Sequence, residues 1–191
     1  MIANETQQNI ISPALLDAAF AQVQAKLLSG LSWLDFAFGK AQRLERQREG
    51  QTIRYPGVFG SKDYINMFPD SHLGNFCFFD VPDAQVIEDW RRGHFNRFHT
   101  GFGLVFWVDL RDVYPADYTR RTTEHVKEEV LRFFATTSFA GCRVEPTEID
   151  ERTENIYPGY TIAEIDNQFL MRPYAGFRMS GVITYDEACT P

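Results

Sequence analysis

Few of the residues able to do chemistry stand at the spacings that chemistry needs. His94 and His99 lie five apart in RRGHFNRFHTG. A helical zinc pair needs histidines at i and i+4 with a glutamate beside them, so a metal site is not expected here. The stretch reads as a surface turn with Arg91, Arg92 and Arg97 solvated, or as a basic patch that docks an acidic neighbour. Glu145, Glu148, Asp150, Glu151 and Glu154 form an acidic run. Calcium loops of the EF-hand kind alternate acids around a glycine and end on a distant glutamate, and that order is absent. The run reads first as a solvated strand and loop. A second reading makes Glu145, Glu148, Asp150 and Glu151 a wall facing a DNA channel, repelling phosphates. A third makes the run the carboxylates of a metal-dependent hydrolase or nuclease.

A serine, cysteine or threonine nucleophile must be held by a base. The chain has no Gly-x-Ser-x-Gly and no cysteine in a recognisable histidine context. It has no phosphate loop, and GFG at Gly101 to Gly103 is too short to stand for one. Cys77, Cys142 and Cys189 include no Cys-x-x-Cys pair and cannot all pair within one chain, which suits reduced thiols. No cofactor is implied. The expectation is a protein that is not an enzyme.

The 191 residues suit one domain, and 44% hydrophobic with 15% aromatic residues is ample for a core. Seventeen phenylalanines point further, to apolar surface buried between subunits, because aromatics are enriched in interface cores. A net charge of −7 argues against a sequence-reading DNA binder, and it suits a surface past which DNA slides without sticking. The start, MIANETQQN, shows neither a basic n-region nor an apolar h-region, and no apolar run approaches the ~20 residues of a membrane span. Synthesis and folding in cytoplasm are expected.

The elements that must position these residues follow from periodicity. Ser12 and Pro13 are expected to open a helix whose stripe is Leu16, Phe20, Val23 and Leu27, stopping at Gly30. Leu34, Phe36 and Phe38 alternate as a strand, and Ile53, Tyr55 and Phe59 as a second, turning at Glu49 and Gly50. Together they predict a protruding hairpin over about 33–59, with Pro56 forcing its second strand to an edge or a bulge. NFCFFDV reads as a short strand that is apolar on both faces. The stretch after Pro82 reads as a short helix and a turn at Gly93. FGLVFWVDLRDVYP is the clearest strand, with Phe102, Leu104, Phe106, Val108 and Leu110 on one face and Val105 and Trp107 on the other. A second helix begins near Thr122 and carries Val126, Val130 and Phe133. CRVEPTEI is a strand, DERTENIYPG a polar loop, TIAEIDNQFL a helical turn or two. The last strand spans about 174–186, with Phe177, Met179, Ile183 and Tyr185 on one face and Arg178, Ser180, Val182 and Thr184 on the other. Strands in runs, not alternating with helices, predict one α+β domain over 1–191: a mostly antiparallel sheet, two main helices on one face, and the hairpin.

Five stretches in order, RYPGVF, PDSHLGNFCFFDV, FWVDLRDVYP, HVKEEVLRFF and FLMRPYAGFRMSGVITY, resemble small virion proteins of phages and prophages of Bacteroidetes-type hosts, in particular tail terminator and head–tail joining proteins. The resemblance covers most of the chain after Trp33. It implies a non-catalytic α+β subunit that forms a ring, often hexameric, at the head-proximal end of the tail. The implied partners are copies of itself, the tail tube or sheath, and connector or portal-associated proteins, with DNA passing through unread and no membrane. The implied location is the virion, assembled in host cytoplasm. The hairpin is similar to protrusions that reach a neighbouring subunit. The loops at 60–74 and 83–101 are extra length relative to tail terminators and suit a neck or connector role. On this reading Phe36, Phe38, Tyr55, Trp107, Tyr174 and Arg178 are expected at subunit interfaces, and Arg91, Arg92 and Arg97 dock a partner. If the last strand lies inside the sheet, Arg178 needs an acid or carbonyls, with Asp109 or Asp112 the candidates; otherwise it lies on a solvated sheet face. Arg178→Ala is expected to break rings without unfolding the subunit. A monomeric adaptor docking an acidic partner through the arginine turn is the remaining alternative.

Overall fold

The computed structural model describes residues 13–60, 62–90 and 96–187. In chain order these form α1 (Leu16–Gly30), β1 (Phe36–Lys40), β2 (Gln42–Arg48), β3 (Gln51–Phe59), β4 (Tyr64–Asn66), β5 (Phe76–Asp80) and β6 (Val86–Asp89). There follow β7 (Arg97–Asp109), α2 (Leu110–Val113), α3 (Thr123–Thr136), β8 (Cys142–Asp150), α4 (Thr153–Ile156) and β9 (Tyr174–Asp186). The fold is a single α+β domain with a mixed large sheet and an antiparallel small one.

The two long apolar runs are the spine. β7 and β9 pair antiparallel over their whole length, from Arg97 opposite Asp186 to Asp109 opposite Tyr174. The large sheet runs β1-β5-β7-β9-β8, and β6 pairs with the end of β7 that overhangs β5. Only β1 and β5 run parallel. Where a helical turn was expected after Pro82, the β-branched pair Val86 and Ile87 instead extends the sheet opposite His99 and Phe98. The turn expected at Gly93 lies outside the described residues.

Alternation sorts the side chains as the sequence predicts up to Asp109, where Leu110, expected on the same strand, instead opens α2 and still joins that core. Phe102, Leu104, Phe106 and Val108 join Phe177, Met179, Ile183 and Tyr185 in one core, against Leu16, Phe20, Val23 and Leu27 of α1 and Val126, Val130 and Phe133 of α3. Phe20 stacks on Phe79 at 4.0 Å between ring centroids. Thr122 caps α3 by accepting from the His125 N–H. α1 begins three residues after Pro13, behind Leu15 at φ 51°, with no side-chain cap.

The opposite face carries Phe76, Phe78, Val105 and Trp107 and is also covered. Its cover is the small sheet, β2-β3-β4, and a strap running from α4 through two 3₁₀ turns to Leu170. Ile156, Tyr157, Tyr160, Ile165 and Phe169 of the strap are buried there. The stretch expected as a polar loop is therefore anchored by its few apolar residues.

The hairpin differs from expectation in its first strand. β1 belongs to the large sheet, and the chain then crosses at Ala41 into β2, so the hairpin is β2–β3. Its turn is where the sequence puts it: Glu49 and Gly50 take φ of 52° and 80°, the signature of a tight hairpin turn. β3 is the central strand of the small sheet, not an edge. The Pro56 carbonyl accepts from the Met67 N–H at 2.8 Å. A strand residue's N and O point to the same side, so the missing donor of Pro56 faces the end of β4 and leaves the β2 ladder intact.

Candidate interaction surfaces

Arg178 is the most informative of the expected site residues. It is only 6% exposed, and its Nη1 donates to Asp80 Oδ2 at 2.8 Å. The partner is thus neither Asp109 nor Asp112, for reasons of register. Arg178 stands opposite Val105, whereas Asp109 stands opposite Tyr174, four residues or about 13 Å along the strand. Asp80 lies opposite Gly103, and Gly103 opposite Ser180, on the same face as Arg178. A Cβ on Gly103 would sit inside the guanidinium, so the glycine makes the room. Asp109 instead caps α2 and forks onto Arg111, whose hydrogen bonds hold its carboxyl below the usual range against the opposing effect of burial.

The buried pair ties the sheet to its irregular cover. Tyr160 of the strap donates its hydroxyl to Asp80 Oδ1 at 3.2 Å, and the Arg43 guanidinium of the hairpin lies 5.1 Å from the centre of the Tyr160 ring. Burial, then the neighbouring Asp80 carboxylate, pushes the Tyr160 hydroxyl far above its ordinary value. Asp80, Arg178 and Tyr160 are buried, and Arg43 covers the Tyr160 ring from the exposed side.

Trp107 and Phe38 are also interior, 4% and 3% exposed in the strap-side core. Like Arg178, they have no surface to offer a second subunit, contrary to expectation. Each faces inward because the strap and small sheet, not a neighbour, complete the second core. Phe36, Tyr55 and Tyr174 are half-buried at that core's margin. Arg91 and Arg92 lie outside the described residues. Arg97 opens β7 on an exposed face and pairs with Asp186 at 2.9 Å.

The acidic run lies on β8 and the loop after it. β8 is the outermost strand of the large sheet, and among the described residues its outer edge pairs with no other strand. Glu145 pairs with Arg143, Glu151 with Lys127, and Asp150 with Arg152. The Arg152 hydrogen bonds hold the Asp150 carboxyl well below the usual range. These acids thus turn to separate cations and do not converge. Among the described residues no three His, Cys, Asp or Glu side chains cluster to hold a metal ion.

Sequence reasoning missed two features. The first is the sign of the hairpin's charge: its outer half, Arg43 to Arg48, reads as charged, but over 40–54 Lys40, Arg43, Arg46, Arg48 and Arg54 stand against Glu45 and Glu49, while the whole chain has 19 Lys and Arg against 26 Asp and Glu. That signal was readable from composition by segment. The second is the apolar exposure at β6, with Val86 47%, Ile87 49% and Trp90 71% exposed, hidden by the helical reading of that stretch.

No family model matches the chain, and no curated protein or solved structure is detectably similar to it. No helix among the described residues is long and apolar enough to cross a membrane.

Proposed function

We propose that this protein is a non-catalytic structural subunit that joins head to tail with copies of itself, as the ring at the head-proximal end of a phage tail, in a terminator or neck position. The observation that carries this reading is the separation of a basic hairpin, in the small sheet, from an acidic edge strand of the large sheet. β1, at one edge, leads directly into the basic hairpin, and β8, at the other, carries the acidic run. Two different, complementary patches make a heterologous contact, and such contacts close into rings when the rotation permits. Arg48 and Arg54 pair with Glu164 and Glu45 yet keep side chains 62% and 53% exposed on the hairpin, where solvent-screened pairs leave them open to a neighbour. Complementary potentials of this kind set register and partner choice more than raw affinity.

The driving force differs from the one the composition suggests. Both sheet faces are already covered, so assembly rests on edges and charge and not on completing a greasy sheet. Self-association is therefore expected to weaken steeply with salt. Sedimentation velocity across protein concentration at low and high ionic strength tests this. Arg48→Glu with Arg54→Glu is expected to abolish association, and Glu145→Lys with Glu148→Lys in the second partner to restore it in mixtures. A wild-type protein that stays monomeric at low salt and high concentration ends the proposal.

A further inference from the structure

The C-terminal ends of α1 and α3 enclose an open cleft of about 720 Å³ that no part of the assembly reading uses. The size falls within the range of small-molecule sites, roughly 300–1,000 Å³. Three cations line it, Lys26, Arg120 and Arg132, against the single carboxylate of Glu129. That carboxylate is fully engaged: it accepts from Trp33 Nε1 at 3.0 Å, the Tyr114 hydroxyl at 2.8 Å and Arg120 Nη2 at 3.0 Å. Arg132 pairs with Glu128 outside the cleft, but both side chains are more than 60% exposed and the pair is solvent-screened. In a chain of net charge −7, this is a local excess of positive charge.

The helix C-termini oppose an anion, because their last carbonyls carry partial negative charge. Here hydroxyls blunt that effect. Ser29 Oγ donates to the Lys26 carbonyl, Thr136 Oγ1 donates to the Arg132 carbonyl, and the Leu31 and Thr137 N–H groups cap Leu27 and Phe133. Thr137 and Ser138 add hydroxyls to the wall, and Phe133 an aromatic side.

We propose that this cleft binds a small organic or inorganic polyanion of the diphosphate class. A guanidinium fork and an ammonium together suit phosphoryl oxygens, and an excess of two positive charges calls for at least two negative ones. Lys26 and Arg132 are the binding residues, and Arg120 stays committed to Glu129 and the Tyr114 ring.

Titration calorimetry on the full chain, with pyrophosphate, ADP, sulfate and hexaglutamate as probes, tests the proposal. Pyrophosphate and ADP are expected to bind one to one, with Lys26→Glu and Arg132→Glu each weakening them about tenfold or more. Arg132→Lys retains part of the affinity, and unchanged thermal midpoints certify the variants as folded. ADP tighter than pyrophosphate assigns a nucleotide; equal affinity assigns the diphosphate alone. Absence of binding, binding indifferent to both reversals, or sulfate binding as tightly (an adventitious ion only) overturns the site. Hexaglutamate binding as tightly as ADP also overturns it, marking a surface for acidic chains. None of these outcomes depends on whether the subunit forms rings.

Discussion

The two faces of the large sheet are closed by different means. One is covered by two helices whose stripes are read directly from spacings of three and four, with Trp33 and Tyr114 of its core donating to Glu129 of α3 at its margin. The other is covered by a small sheet and an irregular strap, and at its centre sits an ion pair with side chains 7% exposed on each side. A helix satisfies its own backbone and needs only to bury a stripe. A strap cannot, so its placement depends on specific polar contacts: Thr161 N–H to the Arg54 carbonyl at 2.8 Å, Tyr157 hydroxyl to the Met67 carbonyl at 3.2 Å, and Tyr160 to Asp80. The lesson is that a buried ion pair and its hydrogen bonds hold the irregular cover in register, where the regular one rests chiefly on periodic packing, with polar contacts at its margin.

Breaking this comparison begins with Arg178→Ala. Leaving Asp80 buried without its partner is expected to cost about 3–5 kcal/mol, read as a lower urea midpoint at an unchanged m-value. This replaces the expectation that the substitution would spare the monomer. Phe20→Ala on the helix face is expected to cost a similar 3–5 kcal/mol through its cavity. The faces separate in the double substitutions: Asp80→Leu with Arg178→Met is expected to recover most of the loss, because an apolar pair of similar size needs no charge compensation. No second change rescues Phe20→Ala unless it refills the volume. If Arg178→Ala costs under about 1 kcal/mol, the pair is not what anchors the strap.

Tyr160→Phe removes only the hydroxyl contact to Asp80, and about 1 kcal/mol is expected. Amide exchange should then rise across the strap before it rises in β7 or β9, since local opening follows local stability. Uniform acceleration over both faces would show that the two covers open as one unit.

Alkali sharpens the contrast further. Tyr157 and Tyr160 on the strap side, and Tyr114 on the helix side, are pushed far up, chiefly by burial, and Tyr185 is pushed up to about 12. Each is raised in the folded state, so its contribution is complete below the ordinary tyrosine value of about 10 and is lost as pH climbs above it. Unfolding should coincide with tyrosinate absorbance. The smallest effect is at acid pH: Asp109 and Asp150 are held low, so their stabilisation is present above about 4 and fades as pH falls below it.

Much of the fold was legible because it is local. Alternation placed Phe177 and Met179 opposite Arg178, and stripes placed Val126 and Val130 inward. Val86 and Ile87 were misread because four residues carry no decisive period, and only the overhang of β7 gives them a partner. Of the expected interface, Trp107, Phe38 and Arg178 were placed on the correct strands and given the wrong neighbour. An apolar residue on the second face of a sheet looks the same in sequence whether its cover comes from another chain or from 60 residues further along its own.

By itself, then, the sequence determined the two main helices and the long strands, which side chains of β7 and β9 share a face, and where the hairpin turns, because these depend on backbone geometry repeated over many residues or on a turn's own chemistry. Tertiary structure alone decided that Arg178 meets Asp80, 98 residues away, that the strap closes the second core, and that the basic hairpin joins the small sheet while the acidic strand edges the large one. Those outcomes follow from strand order and register, which arise when distant segments compete for the same surface and the best-satisfied arrangement wins.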